Sequence, residues 1–143
     1  MTEAWLDNPF ISLIGAQLDE WETDRCVWTL DIRPQHLNTH GSLHGGVIAT
    51  LLDVGCGYSG FCPTTGDSGA RAATISLTVH YMAKASRGRL IARGQRMGGG
   101  RRTFFATAEL INCDEDIVIA SASGSFRIKY PDEARSTINP IMK

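Results

Sequence analysis

Nothing in this chain supplies a large charge of either sign. Fourteen Lys and Arg against fifteen Asp and Glu leave a net charge of −1. No global basic field therefore favours nucleic acid or an anionic membrane as the main partner. Long apolar runs are missing too, none approaching the ~20 residues needed to span a bilayer. The opening residues, Met1 to Pro9, lack the basic and apolar regions of a secretory signal. The four cysteines (Cys26, Cys56, Cys62 and Cys113) include no Cys-x-x-Cys pair. Cys56 and Cys62 lie six apart on different faces of the same helical stretch, which disfavours a bridge. Free thiols in a cytoplasmic protein are the reading that follows.

What is present suits one ordinary globular domain: 143 residues, 43% apolar and 20% charged. The domain is expected over residues 1–130, followed by a polar tail, 131–143, that carries Pro131 and Pro140. Ile11 to Glu20 reads as a strand. Cys26 to Ile32 alternates, with Cys26, Trp28, Leu30 and Ile32 on one side. Pro34 ends that strand, and an Asn/Gly/Ser-rich loop runs to Gly46. From Gly45 to about Phe61 apolar residues recur on nearly every face, the mark of a buried helix. Its glycines, Gly55, Gly57 and Gly60, weaken helix propensity but admit a close backbone neighbour. Four further strands are predicted: Thr74–Tyr81, with Ile75, Leu77, Val79 and Tyr81 in phase; Arg89–Met97; Thr103–Leu110, with Phe104, Ala106, Ala108 and Leu110 on one face; and Asp116–Ile128, with Ala120, Ala122, Gly124, Phe126 and Ile128 in phase. Turns at Gly98–Gly100 and Asn112–Asp116 separate the last three as hairpins. The fold class is α+β, an antiparallel sheet wrapped on one helix.

The most informative segment is Asn38-Thr39-His40-Gly41-Ser42-Leu43-His44-Gly45-Gly46, followed by the apolar run Val47–Val54 whose only ionisable group is Asp53. A carboxylate buried there without a partner costs several kcal/mol, so it is expected to be paired, protonated or used. The glycine pair opens a helix, whose N-terminus offers unpaired N–H groups and a positive dipole end.

Asn38, His44, Gly45, Gly46 and Asp53 stand in an Asn-x5-His-Gly-Gly-x6-Asp arrangement. In this respect the chain resembles the PaaI-like acyl-CoA thioesterases of the hotdog-fold superfamily, over roughly Ile11 to Ile128. The resemblance implies an antiparallel sheet around a central helix and hydrolysis of an acyl- or aryl-CoA to free acid and CoA. It needs no cofactor beyond the coenzyme A of the substrate, and no metal. It assigns Gly45 N–H to polarising the thioester carbonyl, with Gly46 beside the substrate. Asn38 holds the thioester or the attacking water, and His44 orients the loop. Asp53 is general base or nucleophile, two roles left open. Thr74 matches a hydroxyl position that steadies water or substrate near the carboxylate.

Helix arithmetic adds a constraint. Nine residues separate His44 from Asp53, about 13.5 Å along a helix and on opposite sides of its axis. If the segment is helical, one chain cannot aim both at one carbonyl. The site is then shared between two copies, in keeping with the homodimers of the family, often paired as dimers of dimers.

His36, His40 and His44 recur every fourth residue like metal ligands, but Gly41 and the neighbouring Asn, Thr and Ser speak against a helix there. Gly98-Gly99-Gly100-Arg101-Arg102 reads as a phosphate nest with two guanidinium forks, so Gly99, Arg101 and Arg102 are candidate CoA contacts. Lys84, Arg87 and Arg89 are weaker ones. Trp5, Phe10 and Trp21 are candidates for an acyl pocket, with core or interface packing the plainer reading. Rival functions are a non-catalytic acyl-CoA-binding hotdog module and a hotdog enoyl-CoA hydratase.

Overall fold

A computed structural model describes residues 8–63 and 69–131. Trp5 and the segment beyond Pro131 lie outside the described residues. The elements are α1 (Pro9–Ile14), β1 (Gln17–Glu22), β2 (Arg25–Asp31), a 3₁₀ turn (Pro34–His36), α2 (Gly45–Ser59), β3 (Arg71–Tyr81), β4 (Arg89–Gly99), β5 (Thr103–Asn112) and β6 (Ile117–Lys129).

The strand expected from Ile11 is corrected: its first part is the helix α1, and β1 begins only at Gln17. Pro9 occupies the first turn, where its fixed φ suits a helix and its missing N–H is not needed. Gly15 closes the helix in the left-handed region, its N–H donating to Ile11 O at 2.9 Å. In β2 Cys26, Trp28 and Leu30 are buried as expected and Ile32 is half-buried just past the strand end, but Val27 on the other face is buried too, at 4% exposure. Sequence alternation alone put Val27 outside.

One antiparallel sheet holds all six strands, in the order β1-β2-β4-β5-β6-β3. The β4-β5-β6 hairpins are those predicted. β3 instead crosses to the far edge and pairs only with β6 among the described residues. A register shift between Thr74 and Ser76 bulges β3. Ile75 is thereby turned out, 59% exposed, while Leu77 and Val79 pack against the core.

The inner face of the sheet closes on α2. Phe104, Ala106, Ala108 and Leu110 of β5 and Ala120, Ala122, Phe126 and Ile128 of β6 are buried in the predicted phase. They pack with Leu51, Leu52 and Cys56 of the helix. The closest approach is backbone to backbone: a Cβ on Gly94 of β4 would collide with the carbonyl of Gly55. Cys26 Sγ donates to that same carbonyl at 3.0 Å. Trp21 fixes the other end of α2, its Nε1–H donating to Tyr58 O at 2.8 Å and Phe61 O at 2.7 Å. That indole is a packing and capping group, in contact with the Tyr58 and Phe61 rings.

All four cysteines are free thiols, with only Cys113 exposed. Burial pushes the Cys26 thiol up to about 12, helped by the nearby Cys56. Burial, then the charge of Asp53, does the same to Cys56, also to about 12. No helix among the described residues is long and apolar enough to cross a membrane.

Candidate active site

The predicted loop is built by its own polar residues. Leu37 and Leu43 form a bridge that closes it. Asn38 N–H donates to Ser42 O at 2.7 Å. Asn38 Oδ1 accepts from His40 N–H at 2.9 Å and Ser42 N–H at 3.1 Å. Two N–H donors converging on one atom identify it as the oxygen. The amide NH₂ is therefore the part of Asn38 left to face a ligand.

His44 is the N-cap of α2, in extended conformation, and its Nδ1 accepts from Gly46 N–H at 2.8 Å. A Cβ on Gly46 would sit 3.0 Å from that nitrogen, so the second glycine makes room for the capping ring. Gly46 thus has a structural use alongside its candidate role in binding. Gly45, the first helical residue, carries an N–H with no intrahelical acceptor. Among the described residues no hydrogen bond occupies it. Tyr81, at the end of β3, donates its hydroxyl to Gly45 O at 3.0 Å. Its ring lies against Gly45, 3.5 Å from where a Cβ would stand. Sequence reasoning did not connect Tyr81 to this turn. The two are 36 residues apart, and only the inward phase of Tyr81 hinted at its direction.

Asp53 lies on a different stretch of α2. Contrary to the burial expected from its apolar run, Asp53 is partly exposed and lines a cavity of about 270 Å³. Val54, Gly57, Tyr58, Phe61 and Phe126 supply apolar walls, with Arg71 and Thr74 from β3. Thr74 Oγ1–H donates to Asp53 Oδ1 at 2.6 Å, a short charge-assisted bond that orients the carboxylate. One oxygen is held and the other, Oδ2, is left to work.

The structure therefore brings together Asp53 with Thr74, and separately Asn38, His44, Gly45 and Gly46. It does not bring the two groups together within one chain. Their separation follows from the helix: His44 caps it and Asp53 sits nine residues on, about 13.5 Å along the axis. None of Asn38, His44 or Gly45 lines the cavity of Asp53.

Several of the remaining candidates have structural uses. Gly99 holds φ +126°, and a side chain there would strike Thr103 and Phe104, so the glycine is required by the β4–β5 hairpin. Arg101 lays its guanidinium 3.9 Å over the Tyr130 ring, and Tyr130 donates to Arg101 O at 3.1 Å. The Arg102 carbonyl accepts from Ile128 N–H at 2.8 Å. Arg89 forms a bidentate pair with Asp31, at 2.9 and 3.3 Å. Among the histidines, His36 ends a 3₁₀ turn and His40 lies in the loop, not on a shared helix. His36 is buried, taking Arg33 N–H on Nδ1 at 2.9 Å and donating Nε2–H to Ile14 O at 2.7 Å. Among the described residues no group of three or more His, Cys, Asp or Glu is placed to hold a metal. Phe10 is exposed.

Comparison with known proteins places this geometry. The thioesterase superfamily model matches residues 40–119, 80 of the 143. A Pseudomonas aeruginosa relative bearing an esterase name is 30% identical over 123 residues, 85% of this chain and 89% of its own. The medium/long-chain acyl-CoA thioesterase YigI of Escherichia coli K12 is 28% identical over 133 residues, 84% of this chain and 85% of its own. The structure of the phenylacetic acid degradation protein PaaI from Thermus thermophilus, a single-site mutant, superposes with a TM-score of 0.71 at 24% identity. That match covers 84% of this chain and 98% of the other, and shows a shared fold. With a family match over more than half its length and six strands closed around one helix, this chain belongs to the thioesterase superfamily and has its hotdog fold.

Proposed function

We propose that the chain is an acyl-CoA thioesterase whose active site is completed between two copies. The observation that carries this reading is the division of α2. A short Asp53–Thr74 pair opens on an aromatic-walled cavity, and an unoccupied Gly45 N–H lies eight residues back, about 12 Å along the axis, at the capped end. Each half is chemically incomplete for thioester hydrolysis. Two copies arranged head to tail along this helix would supply both.

The chemistry then follows from the residues. The thioester carbonyl oxygen takes the Gly45 N–H of one copy, at the positive end of the helix, with the Asn38 NH₂ as second donor. Asp53 of the other copy, held by Thr74, uses Oδ2 to take a proton from water. The water oxygen bonds to the carbonyl carbon, negative charge moves onto the carbonyl oxygen, and the C–S bond breaks to release CoA thiolate and the free acid. In the alternative course Oδ2 itself bonds to the carbonyl carbon, the C–S bond breaks to release CoA thiolate, and water then opens the resulting mixed anhydride to free acid and the Asp53 carboxylate. His44 acts by fixing the turn, and Gly46 by accommodating it.

The free edge of β3 supports the pairing. Eleven residues long, it offers backbone groups unpaired among the described residues and the exposed apolar side chains of Ile75 and Tyr81, with Met82 just beyond it. Exposed Met97 and Phe105 on the outer face give ground for pairing dimers into a tetramer. Arg101 and Arg102 beside the Gly99 hairpin are proposed contacts for the CoA phosphates. A cytoplasmic setting fits the four free thiols.

The test is CoA release from a panel of acyl- and aryl-CoA substrates, with crotonyl-CoA hydration run in parallel. Wild type is expected to hydrolyse at least one thioester and Asp53→Ala none. Mixing Asp53→Ala with Asn38→Ala under subunit exchange is expected to restore part of the rate. A wild type that binds acyl-CoA without turnover, or hydrates crotonyl-CoA instead, would end the thioesterase reading. Absence of recovery in the mixture would end the shared site.

A further inference from the structure

We propose that Tyr81 is a positioning residue for the carbonyl-polarising turn, acting through the peptide that joins Gly45 to Gly46. The inference rests on the thioesterase reading above and goes beyond it, because no substrate contact is assigned to Tyr81.

The observation is that both polar groups of one peptide unit are tied. Its carbonyl, Gly45 O, accepts the Tyr81 hydroxyl at 3.0 Å. Its N–H, on Gly46, donates to His44 Nδ1 at 2.8 Å. The two bonds come from opposite sides of the turn, one from the capping residue and one from β3, and together they fix the plane of that peptide. The adjoining peptide carries the Gly45 N–H, the donor offered to the thioester oxygen.

Two consecutive glycines make this control necessary. Without Cβ atoms, Gly45 and Gly46 can rotate about φ and ψ far more freely than other residues. The first turn of a helix lacks half of its intrahelical bonds. An oxyanion donor works by being aimed before charge develops, so a turn free to swing gives up that advantage. Thr50 Oγ1 donating to Gly46 O at 2.8 Å secures the next peptide along. Tyr81 is the constraint that arrives from the sheet, and it is the one that links the end of β3 to the helix N-terminus.

Tyr81 OH cannot itself serve the thioester while it donates to Gly45 O, since a phenol has one proton to give. Its effect is therefore expected in kcat and not in KM.

The experiment is Tyr81→Phe, which keeps the ring against Gly45 and removes only the hydroxyl. It is read by steady-state kinetics, by thermal unfolding and by the ¹H–¹⁵N amide signals of Gly45 and Gly46. The expected result is a fall in kcat of about tenfold, milder than the roughly 10²–10³-fold loss on deleting a direct oxyanion donor. KM and Tm are expected to hold, and the Gly46 amide signal to move. In a cycle with His44→Ala the two losses should be less than multiplicative, because both substitutions release the same peptide. An unchanged kcat, a change confined to KM, or a loss that follows a fall in Tm would each overturn the proposal. If wild type hydrolyses no thioester, it is the thioesterase reading that fails. The amide signals then still decide whether Tyr81 governs the turn, and an unmoved Gly46 signal overturns it.

Discussion

A single methyl group, added at either end of one contact, is expected to have opposite effects on stability. Gly55 of α2 and Gly94 of β4 meet backbone to backbone at the closest approach of helix and sheet. In Gly94→Ala the new Cβ lands on the Gly55 carbonyl, and neither partner is a flexible side-chain end that can swing away. That carbonyl also accepts the Cys26 thiol at 3.0 Å, so moving it breaks a buried bond. Relief requires α2 to retreat from the sheet, loosening Leu52 and Cys56, both fully buried. Overpacking costs 1–3 kcal/mol and occasionally more, and a backbone collision belongs at the top, about 3 kcal/mol. At about 3 °C per kcal/mol for a chain of this size, Tm should drop by about 10 °C. In Gly55→Ala the methyl instead meets Ala108 Cβ at 3.4 Å and Gly94 N at 3.8 Å, ordinary contacts. Replacing a mid-helix glycine by alanine is worth up to about 1 kcal/mol. Tm should therefore hold or rise by a few degrees. Calorimetric unfolding of the two purified variants beside wild type decides the matter. A Gly94→Ala protein as stable as wild type, or less perturbed than Gly55→Ala, would refute the assigned contact.

Four further outcomes are expected. Thr74→Val keeps the shape of the residue but removes the 2.6 Å bond to Asp53, and should lower kcat by about tenfold, with Tm unchanged, in a CoA-release assay. Ellman's reagent at pH 8 should label one thiol of four quickly, Cys113, while Cys26, Cys56 and Cys62 react only on unfolding. Since the folded Cys26 and Cys56 thiols are raised from 9.0 to about 12, their contribution to stability is complete below pH 9 and lost as pH climbs toward 12. Urea midpoints should accordingly fall between pH 9 and 11, and fall less steeply in a Cys26→Ala/Cys56→Ala variant. Trp21→Phe leaves two carbonyls at the end of α2 without the indole donor and should cost about 1–2 kcal/mol, measured by urea unfolding.

The parts of the fold that could be read from the sequence are those governed by local periodicity. The phase of Phe104 to Leu110 and of Ala120 to Ile128 follows from alternation, since each strand has one face on the helix. The helix from Gly45 follows from apolar residues on every side. The misreadings have local causes. α1 is only six residues long, too short to show a helical period, although Pro9 and Gly15 mark its ends. Ile75 keeps the alternating pattern in sequence, but the bulge beside it breaks the pattern in space. Of the candidate site, the residue types and their spacing were visible. The bond from Thr74 to Asp53 and that from Tyr81 to Gly45 join positions 21 and 36 apart, which no window of sequence can reveal. The open face of Asp53 depends likewise on how β3 and Phe126 stand around it.

The position of β3 at the far edge of the sheet also bears on how the protein is made. Asn38, His44, Gly45, Asp53 and Thr74 all leave the ribosome in roughly the first half of the chain. Yet the strand that carries Thr74 has its ladder partner in β6, where Thr74 stands opposite Phe126. Until that last strand is synthesised, the hydroxyl has no fixed place and the Asp53 cavity lacks its Phe126 wall. A nascent chain thus holds the polar residues of both half-sites long before it holds the site. Assembly waits for a pairing in which Thr74 and Phe126 meet from 52 residues apart, the kind of non-local contact that slows folding.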